Sequence, residues 1–232
     1  MNSATGELTR EVIGQYYLAF MQDIRLRLEA MQVSVDEAVK NIGHSDNWKN
    51  AEFCYLQIRK VCELISVATL IAHNEFEPFR SGQLLKEWRA IDLTERLLRL
   101  NQHGFPRGAE IEVDAHGAGM HHIRPREQGL DATGLKTIYA TCSDRLHVGS
   151  LRRIISQGAP KYDFREITAW NNALVTLLSV HIIFLPEIRS VLVTVLKDEQ
   201  DGNVHCTFGD ADGPAVLVEG TNLLEFEVDR KL

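Results

Sequence analysis

Between Ala51 and His73 the chain reads AEFCYLQIRKVCELISVATLIAH, with neither Gly nor Pro and with apolar residues almost all the way round a helical projection. A helix of that kind is stable only when other elements surround it, so this segment predicts the centre of a helical core. One thin polar seam crosses it. Arg59, Glu63, Ser66 and His73 fall at steps of four, three and seven and therefore share a face. The seam is either the wet edge of the helix or a buried polar site, and the spacing leaves both open. If it is buried, Arg59 and Glu63 must pair, because an unpaired interior charge is very costly.

The neighbours of this rod are legible from period alone. Ile13, Tyr17, Phe20, Ile24, Leu28, Met31, Val35 and Ala38 recur at three- and four-residue steps, which predicts an amphipathic helix over about 7–42 with Gly43 as its stop. Two shorter helices are expected at 81–90 and 92–101, the second capped by Asp92. Gly104, Pro106 and Gly108 then break the pattern. The stretches 109–114 and 121–124 read as a small hairpin around HGAG. Further long helices are expected at 133–147 and 163–184, the last ended by Pro186. Phe20, Ile24, Ile58, Val61, Ile65, Leu70, Trp170, Leu174 and Leu178 form the expected core.

Past Pro186 the period changes from 3.6 to 2. SVLVTVLK alternates, Asp201-Gly202 is a hairpin signal before 204–208, and 215–218 and 223–228 add two short strands. The expected fold class is mainly α (α+β). It comprises a bundle of four long helices with short helices between, and a small C-terminal antiparallel β appendage. The expected division is 1–186 for the bundle and 187–232 for the appendage.

Composition supports a real core, with 44% hydrophobic and 25% charged residues among 232. A formal net charge of -7 argues against a broad sheath of nonspecific nucleic-acid contacts. Charge is nevertheless uneven, since 121–161 carries seven Lys or Arg against three Asp or Glu. The N-terminus has no basic and apolar leader pattern, and the run 173–186 is too short to span a bilayer, so no membrane association is expected. Cys54, Cys62, Cys142 and Cys206 form no CxxC pair. Cys54 and Cys62 would stand about 12 Å apart on a helix, beyond disulfide reach. Reduced thiols and a cytoplasmic location are the expectation.

The best candidate for chemistry is YATCSDRLH, 139–147. On a helix, Tyr139, Cys142 or Ser143, and His147 share one side, with Asp144 placed to orient the imidazole and Arg145 on a neighbouring face. An imidazole so placed can act as acid or base near neutral pH. The structural alternative is a helix end, where a histidine meets the last carbonyls.

YLQIRKVCELIS together with this downstream Y-x3-C-x3-L-H resembles a group of uncharacterised bacterial helical proteins and, more distantly, HEPN-type helical bundles, over about residues 10–185. The resemblance implies action on RNA or nucleotides in a toxin or phage-defence setting, with an Arg and a His near a helix end at a dimer interface. Arg145 stands only two positions before His147. A wider Arg–His pair occurs at Arg96 and His103 in RLLRLNQH.

Metal and cofactor signals are weak. His116, His121 and His122 lie in the hairpin region, but adjacent strand residues point to opposite faces and no matching Cys or carboxylate spacing accompanies them. GDADG at 209–213 lacks the later ligands of a calcium loop. No cofactor is expected. Two functions are compatible with the sequence: a HEPN-like protein acting on RNA or nucleotides through His147, Tyr139, Asp144 and Arg145, or a non-catalytic helical module for self-association or a protein partner.

Overall fold

The structure, a computed structural model, describes residues 8–41, 47–87, 89–113, 121–147, 162–186, 190–199, 201–210 and 216–218. Helix α1 spans Arg10–Lys40 and α2 spans Asn47–Ala72. Thr9 caps α1 by accepting from the Val12 amide at 3.4 Å, which satisfies one of the free N–H groups of the first turn. The buried stripe of α1 follows the expected period except that Met21, not Phe20, is fully enclosed. The α1 C-cap is Asn41; the expected stop at Gly43 lies outside the described residues.

The α1 and α2 helices run antiparallel. Arg27 donates to Gln57 Oε1 at 2.8 Å, Met31 lies level with Cys54, and Arg10 meets Glu75 at the far end. The α2 rod is central, as its composition requires. Its buried positions include Tyr55, Ile58, Val61, Cys62, Ile65 and Ala68. Leu70, Leu174 and Leu178 are also buried, whereas Phe20 and Trp170 only flank the core.

Between α2 and the sheet the chain forms a 3-10 turn at Glu77–Arg80, a single helical turn α3 at Gly82–Leu85, and α4 at Ala90–Leu100. The expected helix at 81–90 thus shrinks to one turn. Asp92 is not the cap of α4. It sits inside the first turn as the partner of Arg89, which holds the cap position. There its charge still favours the helix N-terminus. Helix α5 spans Ala132–Leu146, capped by Asp131, and α6 spans Phe164–Leu178, capped by Asp163.

The helix expected at 163–184 ends six residues early. Ser179 closes α6, and Val180–Phe184 (VHIIF) is strand β3. Ile182 and Ile183 are β-branched, and the backbone of this stretch has strand partners on both sides, so tertiary pairing overrides the helical period. The other strands are β1 Arg107–Val113, β2 His121–Pro125, β4 Ser190–Val195, β5 His205–Asp210 and β6 Val216–Val218. They form one antiparallel sheet in the order β5-β4-β3-β1-β2-β6.

The division expected at 186/187 therefore does not separate the sheet. Strand β3 pairs with β4 (Ile182 opposite Val193) and with β1 (Gly108 opposite His181), and β6 returns to β2. The hairpin at 107–125 and the C-terminal strands are one structure, tied to the helices through β3. Among the described residues two helices are long, α1 and α2, two have 15 residues, α5 and α6, and α4 has 11; α1 and α6 lie against the sheet. The strand expected at 223–228 lies outside the described residues.

Alternation along the strands sends Ile183, Leu192 and Cys206 into the main core. Ile182, Val191 and Val193 join Ala109 and Ile123 in a second cluster. Gly14 brings α1 close to β5, where Cys206 Sγ lies 3.5 Å from its carbonyl oxygen.

Candidate functional site at the helix–sheet junction

The residues of the 139–147 motif each have a definite place. His147 is the C-cap of α5; it is exposed and extended, and its amide donates to the Ser143 carbonyl at 3.2 Å. It does not continue the helical column of Tyr139 and Cys142. Arg145 turns towards α6 and pairs with Glu166 at 3.4 Å. Glu166 also accepts from the Tyr55 hydroxyl at 3.0 Å. Asp144 is exposed. The Tyr139 ring lies under the Arg59 guanidinium at 5.4 Å. Cys142 is fully buried, and that burial lifts its thiol to about 12, which removes it as a nucleophile near neutral pH.

The polar seam of α2 divides. Arg59 and Glu63 form a half-exposed ion pair at 3.3 Å, with Lys60 adding a second cation to Glu63 at 2.8 Å. Ser66 and His73 are buried. Ser66 donates to the Cys62 carbonyl and shares a hydrogen bond with Thr94 at 2.8 Å. His73 is tied at both nitrogens. Nδ1–H donates to the Thr69 carbonyl at 2.7 Å, so Nε2 accepts from Asn101 at 3.0 Å. Asn101 also donates to the Phe184 carbonyl, which links α2, α4 and β3. Gly104 closes the group. A Cβ at that position would stand 2.6 Å from His73 Nε2, an approach that only glycine permits. Burial holds the His73 imidazole down to about 4, so it is neutral.

Two adjoining cavities flank this region. The smaller, about 200 Å³, lies between α2, α4 and α5 and is lined by Cys62, Ser66, Thr94, Glu95, Lys136 and Tyr139 among others. Seam residue Ser66 and motif residue Tyr139 thus meet at one cavity. Lys136 and Glu95 pair at its rim, and the lysine, through its hydrogen bond and then its charge, lowers the carboxyl of Glu95. The larger is a cleft of about 470 Å³ that shares Leu98, Ala132 and Thr133 with the first. It opens where the end of α4, the start of β1, the β2–α5 turn and the end of α6 converge.

That cleft adds Arg126, from a distant segment, to His103 and Arg107, which stand four residues apart. His103 follows α4, Arg107 opens β1 and Arg126 follows β2. Arg107 stands 3.1 Å from His103 Nδ1 and lies over the Phe184 ring. Arg126 meets Glu110 at 3.3 Å and donates to the Thr176 carbonyl at 3.1 Å, where it caps the end of α6. Gly108 permits this convergence, since a Cβ there would lie 3.2 Å from the Thr176 carbonyl oxygen. Phe105, Pro106, Leu130 and Leu177 supply an apolar wall, and Glu127 and Asp131 add acceptors. Of the Arg96–His103 pair read in the sequence, only His103 reaches the cleft; Arg96 pairs with Glu87 at 3.4 Å.

Among the described residues one group has metal-ligand character. Asp198, Asp201 and His205 bring their ligand atoms within 4.8 Å of one another in the β4–β5 turn. His205 Nε2 lies 3.0 and 3.1 Å from the two Asp201 oxygens, and Asn203 donates to both as well, so the turn satisfies the carboxylate internally. His121 and His122 occupy adjacent ladder positions in β2, opposite Val113 and Glu112; His116 and residues 211–213 of GDADG lie outside the described residues. All four cysteines are buried and free. Among the described residues no helix is long and apolar enough to cross a membrane.

No family model, no curated protein and no solved structure matches the chain.

Proposed function

We propose that the protein binds a nucleotide in the junction cleft. The phosphate would lie at the edge formed by His103, Arg107 and Arg126, and the base against Phe105, Leu130 and Leu177. One observation carries this reading: two separate segments, 103–107 and the end of β2, deliver an imidazole and two guanidiniums to a single amphipathic depression of about 470 Å³. That volume falls within the range of about 300–1,000 Å³ that small-molecule sites occupy. Guanidinium groups match phosphate oxygens in geometry as well as charge. Glu127 and Asp131 offer acceptors to the exocyclic amines of a base. They also cancel much of the cationic field, which favours a single nucleotide over the backbone of a long RNA. The reading keeps the ligand class implied by the HEPN-like resemblance and moves the site away from His147, which is not among the residues lining the cleft.

Titration calorimetry with AMP, ATP and inorganic phosphate tests it. Saturable binding of a nucleotide is expected, weakened at least about tenfold, or about 1.4 kcal/mol, by Arg107→Ala. Phosphate binding as tightly as the nucleotide would remove the base from the reading. The absence of binding to any nucleotide at millimolar concentration would refute it.

A further inference from the structure

Helices α1 and α2 each carry a second apolar stripe, on the side away from the core. On α1 the outward positions Tyr16, Asp23, Leu26 and Val33 follow one another at steps of seven, three and seven, with the small exposed residues Ala19 and Ala30 in the intervening places. On α2, Phe53, Leu56, Lys60 and Val67 follow at steps of three, four and seven. These are heptad-like intervals, the spacing of a seam between helices. The six large apolar side chains in the two stripes are between 37% and 58% exposed. The antiparallel register of Arg27 with Gln57 and of Met31 with Cys54 sets the rows. It places Tyr16 level with Val67, Asp23 with Lys60, and Val33 with Phe53. The outer face of the hairpin is therefore apolar at both ends, with one row of opposite charge between.

We infer that this face is an interface with a second copy of the chain. Two features of the face select that occupant. The first is size. The stripes run about 21–26 Å along two helices that together span about 20 Å, a face on the order of 400–500 Å². Two copies would then bury about 800–1,000 Å², the size of a weak, reversible interface. The second is charge. A two-fold axis parallel to the helices lays α1 of one copy on α2 of the other, sets Asp23 against Lys60 of the partner subunit twice over, and stacks Tyr16 on the partner subunit's Val67. A two-fold axis across the helices would instead set Asp23 on Asp23 of the partner subunit, which is repulsive. In the single chain Asp23 pairs with Arg27 at 3.0 Å and Lys60 with Glu63 at 2.8 Å. The product is an antiparallel four-helix seam built from two hairpins, and it leaves the junction cleft untouched.

Sedimentation equilibrium of the full chain across the micromolar range tests the inference. The expected result is a reversible dimer. Asp23→Lys alone and Lys60→Asp alone should each weaken it about tenfold or more, because each sets like charges face to face. The double variant, and an equimolar mixture of the two single variants, should recover the association. Leu26→Glu should leave a monomer, with an unchanged far-ultraviolet circular dichroism spectrum showing that the helices persist. A wild-type chain that stays monomeric throughout would overturn the inference. So would a folded Asp23→Lys variant that associates as well as wild type, or a mixture of single variants that associates no better than each alone.

Discussion

The Tyr17 hydroxyl lies 2.7 Å from His181 Nε2, with both side chains fully buried where α1 crosses the sheet. His181 Nδ1 faces the Leu178 carbonyl at 3.0 Å, so it carries the proton, and Nε2 accepts from the phenol. Burial holds the imidazole down to about 4 and pushes the phenol far above its ordinary range, so both groups are neutral and the bond is a structural tie between α1 and β3.

Tyr17→Phe keeps the ring and removes the donor, leaving Nε2 buried without a partner. An orphaned buried acceptor costs about 1–3 kcal/mol. Urea denaturation followed by circular dichroism should show a lower midpoint with an unchanged slope. A loss below about 0.5 kcal/mol would show that the hydroxyl is not needed there.

His73 and His181 together make the fold acid-sensitive. Each titrates near 6.5 when unfolded and near 4 when folded. The unfolded chain therefore binds more protons between those values. Stability is full above about pH 6.5 and falls as the pH drops towards 4, by on the order of 2–3 kcal/mol per histidine. Denaturation midpoints at pH 7.5, 6 and 4.5 check this. A flat profile across that window would show that neither imidazole is held neutral.

Arg145 and His147 separate structural from exposed roles on one helix end. Arg145→Ala leaves the half-buried Glu166 with only the Tyr55 hydroxyl and should cost about 1 kcal/mol, the scale of a partly exposed ion pair. His147→Ala should change stability by less than about 0.5 kcal/mol, since the ring is exposed and the cap bond uses the backbone. Paired thermal melts of the two variants test the difference. Equal losses would contradict the placement of Arg145.

Local periodicity made much of the helical part legible. The stripe from Ile13 to Ala38 and the greasy rod from Ala51 to Ala72 reveal themselves because helical neighbours recur every three or four residues, and any chain that satisfies that period must bury the face it creates. The turn at Asp201-Gly202 is local in the same sense; Gly202 adopts a φ of 71° there. The outward stripe from Tyr16 to Val33 is equally a matter of spacing. Only the packing of α2 on α1 sets Lys60 level with Asp23.

What local order cannot specify is partnership at a distance. VHIIF fits the end of a helix until β1 and β4 flank it, because strand pairing draws its hydrogen bonds from residues 75 positions away as readily as from near ones. Arg126 joins His103 and Arg107 at one edge only because the end of β2 meets the α4–β1 stretch in space. Ser66 and Arg59 share a helix face, yet one is sealed and the other half-exposed, since burial depends on what packs against a residue. The chain by itself determined which segments coil and which faces must be covered. The tertiary structure alone decided which charges meet, which histidines stay neutral and where a ligand could enter.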